Sequence, residues 1–161
     1  MKQIFLDYAS TTPVSPAVHA SMEPYYTESF YNPSALYLAA KQVKHDLDAA
    51  RAKAAVLLGV RPSELIFTAG TTEANNLVLR GVMALHPGAH CIVSAVEHDS
   101  VIHTAAAFPH TLLPVSEQGI VDVSQLSAKI TNDTVLVSVM LANNELGTVQ
   151  PVVEVAKVIT A

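Results

Sequence analysis

The chain has 161 residues, of which 50% are hydrophobic and only 14% are charged, and its formal net charge is −5. The acidic balance and the absence of a lysine and arginine stripe argue against a nucleic-acid-binding protein, and every apolar run is interrupted before it could span a bilayer. A single cysteine, together with Asp7 standing where a signal peptide needs an apolar core, favours a cytoplasmic protein.

The first third of the chain is predicted to hold an extended N-terminal arm, residues 1–15, followed by helices. Ser15 and Pro16 are typical of a helix start, because serine caps the free N–H groups and proline lacks one. Gly59 is typical of a helix end. The predicted elements here are a brief strand at 4–6, a helix at 16–27, and a long helix from 34 or 35 to 58 that follows the turn Asn32-Pro33-Ser34.

Beyond Gly59 strand and helix patterns alternate regularly. Such alternation predicts an α/β fold with a mostly parallel, doubly wound sheet, helices on both faces and a ligand beyond the carboxyl ends of the strands. The predicted strands lie at 64–68, 91–96, 111–115 and 134–140, and the predicted helices at 73–85, 99–107, 124–130 (with Ser124 as cap) and from 152 onwards.

The turn Gly70-Thr71-Thr72 follows the first of these strands and opens a helix. Free backbone N–H groups, the helix dipole and two hydroxyls at such a turn suit an anion, most often a phosphate. Neither a P-loop nor a dinucleotide-binding fingerprint is present. A simple strand–helix connection is the alternative.

His98 stands at the end of the second strand of the alternating region, between Glu97 and Asp99. A histidine there is placed for proton transfer or for stacking on a planar ligand, and an ordinary loop histidine is the alternative. His103 lies five positions further on, which on a helix is a different face, so we predict no metal site.

Asn143 and Asn144 follow the most apolar strand directly. Their amides could bind the phenolic or carboxylate oxygens of a ligand, although asparagine is also favoured in turns. Cys91 lies inside a strand pattern and is predicted to be an inert buried thiol.

Five motifs in this order resemble the N-terminal part of the cysteine desulfurases. These enzymes belong to the class V aminotransferase group of the fold-type I enzymes, which use pyridoxal 5′-phosphate. The resemblance runs along nearly the whole chain, through the motifs Leu6-Asp7-Tyr8-Ala9-Ser10-Thr11-Thr12-Pro13-Val14, Asn32-Pro33-Ser34, the stretch 66–76 around Gly70-Thr71-Thr72, Glu97-His98, and the stretch 137–147 around Asn143-Asn144-Glu145.

The resemblance implies a fold and a set of site residues. The segment 16–161 would be the first part of the large, cofactor-binding domain of a fold-type I enzyme. Thr71 and Thr72 would hold the cofactor phosphate, and His98 would stack on the pyridine ring and help to move protons. Asn144 would bind the phenolic oxygen of the cofactor and help to place the substrate.

The activity implied is conversion of L-cysteine to L-alanine, with the sulfur left on the enzyme as a persulfide for iron–sulfur cluster assembly or thiolation. The resemblance also implies a sulfur-acceptor protein as partner and a homodimer of the full-length enzyme. No segment matches the family motif of the lysine that holds the cofactor or that of the reactive cysteine, and Cys91 does not match the latter. The resemblance therefore implies an N-terminal fragment that is inactive alone.

One local departure and two alternatives stay open. Where the family usually has His-Ser-x-Gly-Arg after Asn32-Pro33-Ser34, this chain has Tyr37-Leu38-Ala39-Ala40-Lys41. The first alternative is another class V enzyme, such as a selenocysteine lyase or a small-amino-acid aminotransferase. The second is a non-catalytic binding or assembly module that keeps half of the cofactor site.

Overall fold

The computed structural model describes residues 4–160, and the chain divides into two compact units, Met1–Phe67 and Thr68–Ala161. Within the described residues, no helix has both the length and the apolar character needed to cross a bilayer.

The first unit is helical. The predicted helix at 16–27 is two helices, α1 (Pro16–Met22) and α2 (Pro24–Thr27), because Pro24 has no N–H with which to continue the first. The Ser15 side chain accepts a hydrogen bond from the Val18 N–H at 3.3 Å, which confirms the predicted cap.

Helix α3 (Leu38–Leu58) begins later than predicted and ends as predicted. Its start is delayed because Asn32 holds the preceding residues in a turn, its side-chain oxygen accepting from the Ser34 N–H at 2.9 Å. Gly59 ends the helix in the left-handed region, with φ of 68°. That conformation suits glycine, which has no Cβ to clash.

The predicted strands at 4–6 and 64–68 are wrong. Residues 4–6 have no regular structure, and Pro62–Glu64 is a short 3₁₀ helix. Leu65 is extended, but its carbonyl accepts from the Arg51 guanidinium rather than from a neighbouring strand. An extended segment becomes a strand only when its backbone groups pair with a neighbour, and no described segment supplies that pairing.

The described part of the second unit contains a parallel sheet of three strands, β1 (His90–Ser94), β2 (His110–Leu113) and β3 (Thr134–Ser138). The order is β2-β1-β3, with β1 paired in parallel to both neighbours. These strands overlap the predicted ones, although β1 and β2 each begin one residue earlier and all three end earlier than predicted, and they confirm the parallel α/β architecture.

Among residues 68–160, four helices cover the sheet: α4 (Thr71–Leu85), α5 (Asp99–Ala105), α6 (Val123–Lys129) and α7 (Val152–Ile159). Cys91 and Val93 pack against α4 and α5, whereas Ile92 packs against α6 and α7. Both faces of β1 are therefore buried, as a parallel sheet requires. Cys91 is fully buried, as predicted, and burial raises the pKa of its thiol.

One predicted cap is wrong. Helix α6 begins at Val123 and is capped by Asp122, whose carboxylate accepts from the Ser124 N–H at 3.1 Å. The carboxylate also accepts from the Ser124 hydroxyl at 2.6 Å, so Ser124 donates to the cap.

Leu113 and Leu112 provide a matched test of this core. Leu113 is fully buried, whereas Leu112, its neighbour on β2, is 46% exposed. We expect Leu113→Ala to lower the free energy of unfolding by about 2–5 kcal/mol, because it leaves a cavity between the sheet and α6. Leu112→Ala serves as the control and should cost less than half as much in urea unfolding. Equal losses would contradict the described packing of β2.

Candidate active site

A cleft of about 310 Å³ lies at the carboxyl ends of β1 and β3. Parallel pairing of the two strands, with Val93 opposite Ser138, brings the segments that follow them to the same edge of the sheet. His98 and Asn144, both exposed, line this cleft. The structure thus brings together two of the four predicted site residues.

Glu97 links the segment after β1 to the segment after β3 by hydrogen bonds. One of its carboxylate oxygens accepts from the Met140 backbone N–H at 2.6 Å and from the Ser94 hydroxyl at 3.1 Å. Burial raises the pKa of the Glu97 carboxyl, and these two hydrogen bonds act in the opposite direction. The sequence places Glu97 beside His98 but assigns it no role of its own; the available signal is a carboxylate immediately after an apolar strand.

The Asn143 side chain is occupied by hydrogen bonds within the protein and is not available to a ligand. Its side-chain oxygen accepts from the N–H groups of Glu145 and Leu146 at 2.9 and 2.8 Å. Its amide nitrogen donates to the Val96 carbonyl at 2.9 Å, which ties the loop to the segment after β1. In the described part of the chain the Asn144 side chain makes no hydrogen bond, so its amide is available to a ligand.

His98 caps helix α5. Its Nδ1 accepts from the Ser100 backbone N–H at 3.1 Å and lies 2.8 Å from the Ser100 hydroxyl oxygen. The same hydroxyl oxygen receives a hydrogen bond from the Asn75 side chain of α4 at 2.8 Å. The Ser100 backbone thus holds the ring directly, and Asn75 of α4 supports it through the Ser100 hydroxyl.

Thr71 and Thr72 are the first two residues of α4, and both are exposed. The cap residue Gly70 offers no side chain, and a Cβ placed on it would meet no atom within 4 Å. No acceptor among residues 4–160 reaches the N–H groups of Thr71 and Thr72. This helix end can therefore bind an anion through N–H groups, hydroxyls and the helix dipole.

Neither threonine lines the cleft, so the structure places the two predicted binding groups on adjacent surfaces of the second unit. Polar side chains join them. The Asn76 amide donates to the Thr72 carbonyl at 3.0 Å and its oxygen accepts from the Thr104 hydroxyl of α5 at 2.9 Å. The start of α4 is therefore fixed to the helix that His98 caps.

The charges differ between the two surfaces. Glu97, Asp99 and Glu145 line the cleft. The α4 N-terminus instead offers the donors of Thr71 and Thr72 beside one carboxylate, that of Glu73, which accepts from the Ala69 N–H at 2.7 Å. An anionic group is favoured at the helix end, and a neutral or amine-bearing group is favoured in the cleft.

Asn143 and Asn144 test the division between loop and ligand residues. We expect Asn143→Ala to lower the free energy of unfolding by about 1–3 kcal/mol, because four side-chain hydrogen bonds, one of them to the Met140 sulfur, are lost. Asn144→Ala should stay within about 0.5 kcal/mol of the unaltered chain. Chemical denaturation of both variants measures the difference. A larger loss for Asn144→Ala than for Asn143→Ala would contradict the assignment.

The raised pKa of Glu97 predicts a pH dependence of stability. Between the usual glutamate pKa of about 4.3 and the raised value, the folded chain binds more protons at Glu97 than the unfolded chain. This carboxyl therefore makes the free energy of unfolding fall as the pH rises through that window. Glu97→Gln, which keeps an acceptor oxygen, should weaken that fall in urea titrations across the window. Glu117→Gln, an exposed loop change, is the control and should leave the slope as it is.

The sequence profile of the family described as aminotransferase class-V matches residues 4–161. The chain is 42% identical to the cysteine desulfurase IscS of Methanosarcina thermophila, over 98% of this chain and 41% of the relative. It is similar in structure to a NifS-like protein, with a TM-score of 0.93 and 34% identity over 96% of this chain and 44% of that one. It is also similar to SspA, solved in complex with cysteine, with a TM-score of 0.91 and 37% identity over 96% and 46% of the two chains.

These likenesses confirm the α/β fold class predicted from the sequence. The chain spans about two fifths of the length of the curated relatives that it matches. The profile match along almost its entire length shows that the chain belongs to the aminotransferase class-V family.

Proposed function

We propose that this chain is the N-terminal part of a pyridoxal-phosphate-dependent cysteine desulfurase and forms part of its cofactor site. The observation that carries the proposal is the cleft at the ends of β1 and β3, where His98 and Asn144 stand with free polar atoms. Relatives with cysteine desulfurase names, such as the one 42% identical from Methanosarcina thermophila, support the choice of activity.

The described residues fit the cofactor. A phosphate group needs hydrogen-bond donors at a helix N-terminus, and α4 offers the N–H groups and hydroxyls of Thr71 and Thr72. Gly70 leaves open space at the same point. These groups would hold the phosphate, the first of the predicted roles.

The cleft residues would hold the ring and the substrate. His98 would lie against the pyridine ring and exchange protons, and the free Asn144 amide would bind the phenolic oxygen and orient the substrate. When bound, pyridoxal phosphate supplies an electron sink for the bonds around the substrate α-carbon. The carboxylates Glu97, Asp99 and Glu145 give the cleft a negative charge that favours the amino group of an amino acid.

The complete reaction would take L-cysteine to L-alanine and leave persulfide sulfur for an acceptor protein in iron–sulfur cluster assembly or thiolation. The proposal has three further parts: a cytoplasmic location, a homodimer of the full-length enzyme, and a division into an arm (1–15) and the first part of the large domain (16–161). Since no segment matches the cofactor-holding lysine or the reactive cysteine, we expect cofactor binding by this chain without turnover of cysteine.

Calorimetric titration with pyridoxal phosphate tests the phosphate site. We expect the double change Thr71→Val and Thr72→Val to weaken binding by about tenfold or more, because hydroxyl bonds to a charged phosphate are lost while the backbone N–H groups remain. Inorganic phosphate should compete for the same site.

Thr27→Val, an exposed change on α2, is the matched control and should leave the affinity unaltered. Unchanged affinity of the double variant would contradict the phosphate role of Thr71 and Thr72. Borohydride reduction that attaches the cofactor to one specific lysine would contradict the assignment of that lysine outside this chain. Turnover assays of the full-length enzyme would distinguish the class V activities. Release of alanine from L-cysteine is expected for a desulfurase, whereas turnover of selenocysteine without turnover of cysteine would favour a selenocysteine lyase.

A further inference from the structure

Three side chains, Asn75, Ser100 and His98, form a chain of hydrogen bonds at the contact between α4 and α5. We propose that Asn75 and Ser100 are positioning residues that hold the neutral His98 ring with its proton on Nε2. The ring then offers an N–H donor to the cleft. The tautomer is independent of the function proposed above, whereas its catalytic consequence rests on that function.

The first step of the argument is the backbone. The Ser100 N–H can only donate, and it points at Nδ1 of His98 from 3.1 Å. Nδ1 must therefore present a lone pair. A neutral imidazole carries one proton, which leaves Nε2 as the protonated nitrogen.

The second step is the Ser100 hydroxyl. Its oxygen accepts from the Asn75 amide N–H at 2.8 Å, which turns the hydroxyl proton toward Nδ1, also at 2.8 Å. If the Asn75 amide were reversed, its oxygen would accept the Ser100 hydroxyl proton. The lone pairs of the Ser100 oxygen and of His98 Nδ1 would then face each other at 2.8 Å. Only one orientation of the three groups satisfies every contact, and two donors converge on Nδ1.

The third step is burial. Ser100 is only 9% exposed, and Asn75 is partly buried against it, so water is a weak competitor for these bonds. The ring itself is exposed on the cleft, and its Nε2 makes no hydrogen bond to the described residues. The residues that hold the ring are thus buried or partly buried, whereas the Nε2–H is available to a ligand.

The consequence concerns the order in which His98 can act. A neutral ring that accepted a proton at Nε2 would first need its proton on Nδ1, against the donors from Ser100. Neutral His98 therefore meets a ligand as a hydrogen-bond donor. Asn75 also lies in the first turns of α4, so the helix end that carries Thr71 and Thr72 fixes the ring that faces the cleft.

Long-range ¹H–¹⁵N correlation spectra of the ¹⁵N-labelled chain at about pH 8, where an ordinary histidine is neutral, measure the tautomer directly. We expect unprotonated-type Nδ1 and protonated-type Nε2 signals for His98. Ser100→Ala removes one of two donors, and Asn75→Asp turns the hydroxyl proton away from His98. In both variants the two nitrogen shifts should move toward each other.

Thr104→Val is the matched control, because it removes the other α4–α5 hydrogen bond, and a bond to the Ser100 carbonyl, without touching the His98 ring or the Ser100 hydroxyl. It should leave the His98 shifts in place. A protonated Nδ1 in the unaltered chain, equal shifts in all variants, or an equal movement in Thr104→Val would each overturn the inference. Failure to bind pyridoxal phosphate with an intact Nε2–H signal would instead count against the proposed function alone.

Discussion

The placement of β1 between two parallel neighbours is the constraint on which the rest of the second unit depends. Cys91, Ile92 and Val93 are fully buried, so the strand contributes side chains to both layers of the core. Because the strands are parallel, the segments that follow them all leave the sheet at the same end, the carboxyl end. His98 and Asn144 meet there, although they are far apart in sequence, because the strands before them are neighbours.

The exposed groups of the cleft lie beside partly buried groups, Glu97 and Asn143, that are themselves hydrogen-bonded. Glu97 holds the start of the segment after β3, and Asn143 holds its loop to the segment after β1. Buried polar groups stabilise a fold only when they are paired, and here the pairing crosses from one strand end to the other. The free atoms of His98 and Asn144 are thereby held by side chains that are themselves occupied, the arrangement that a precise binding site needs.

Periodicity in the sequence predicts the helices of the second unit and the three parallel strands, because burial on one or both faces leaves a regular pattern of apolar residues. The extended run after Pro62 has the same apolar pattern, yet strand formation depends on a partner that local sequence does not contain. Residue type alone does not distinguish Asn143 from Asn144, and only the family resemblance assigns the ligand role to Asn144. The fold shows that the loop uses the Asn143 amide. The roles of Asn75 and Ser100 arise from contact between two helices and have no local signal.

The buried position of Cys91 makes the only thiol of the chain a reporter on the sheet itself. Its sulfur lies in the central strand under α4 and α5, and its raised pKa disfavours the reactive thiolate. An alkylating reagent can reach it only when the strand is uncovered, so the rate of its modification would follow the population of opened molecules. The chain thus contains a natural label for measuring how often its central strand is exposed, with no engineered probe.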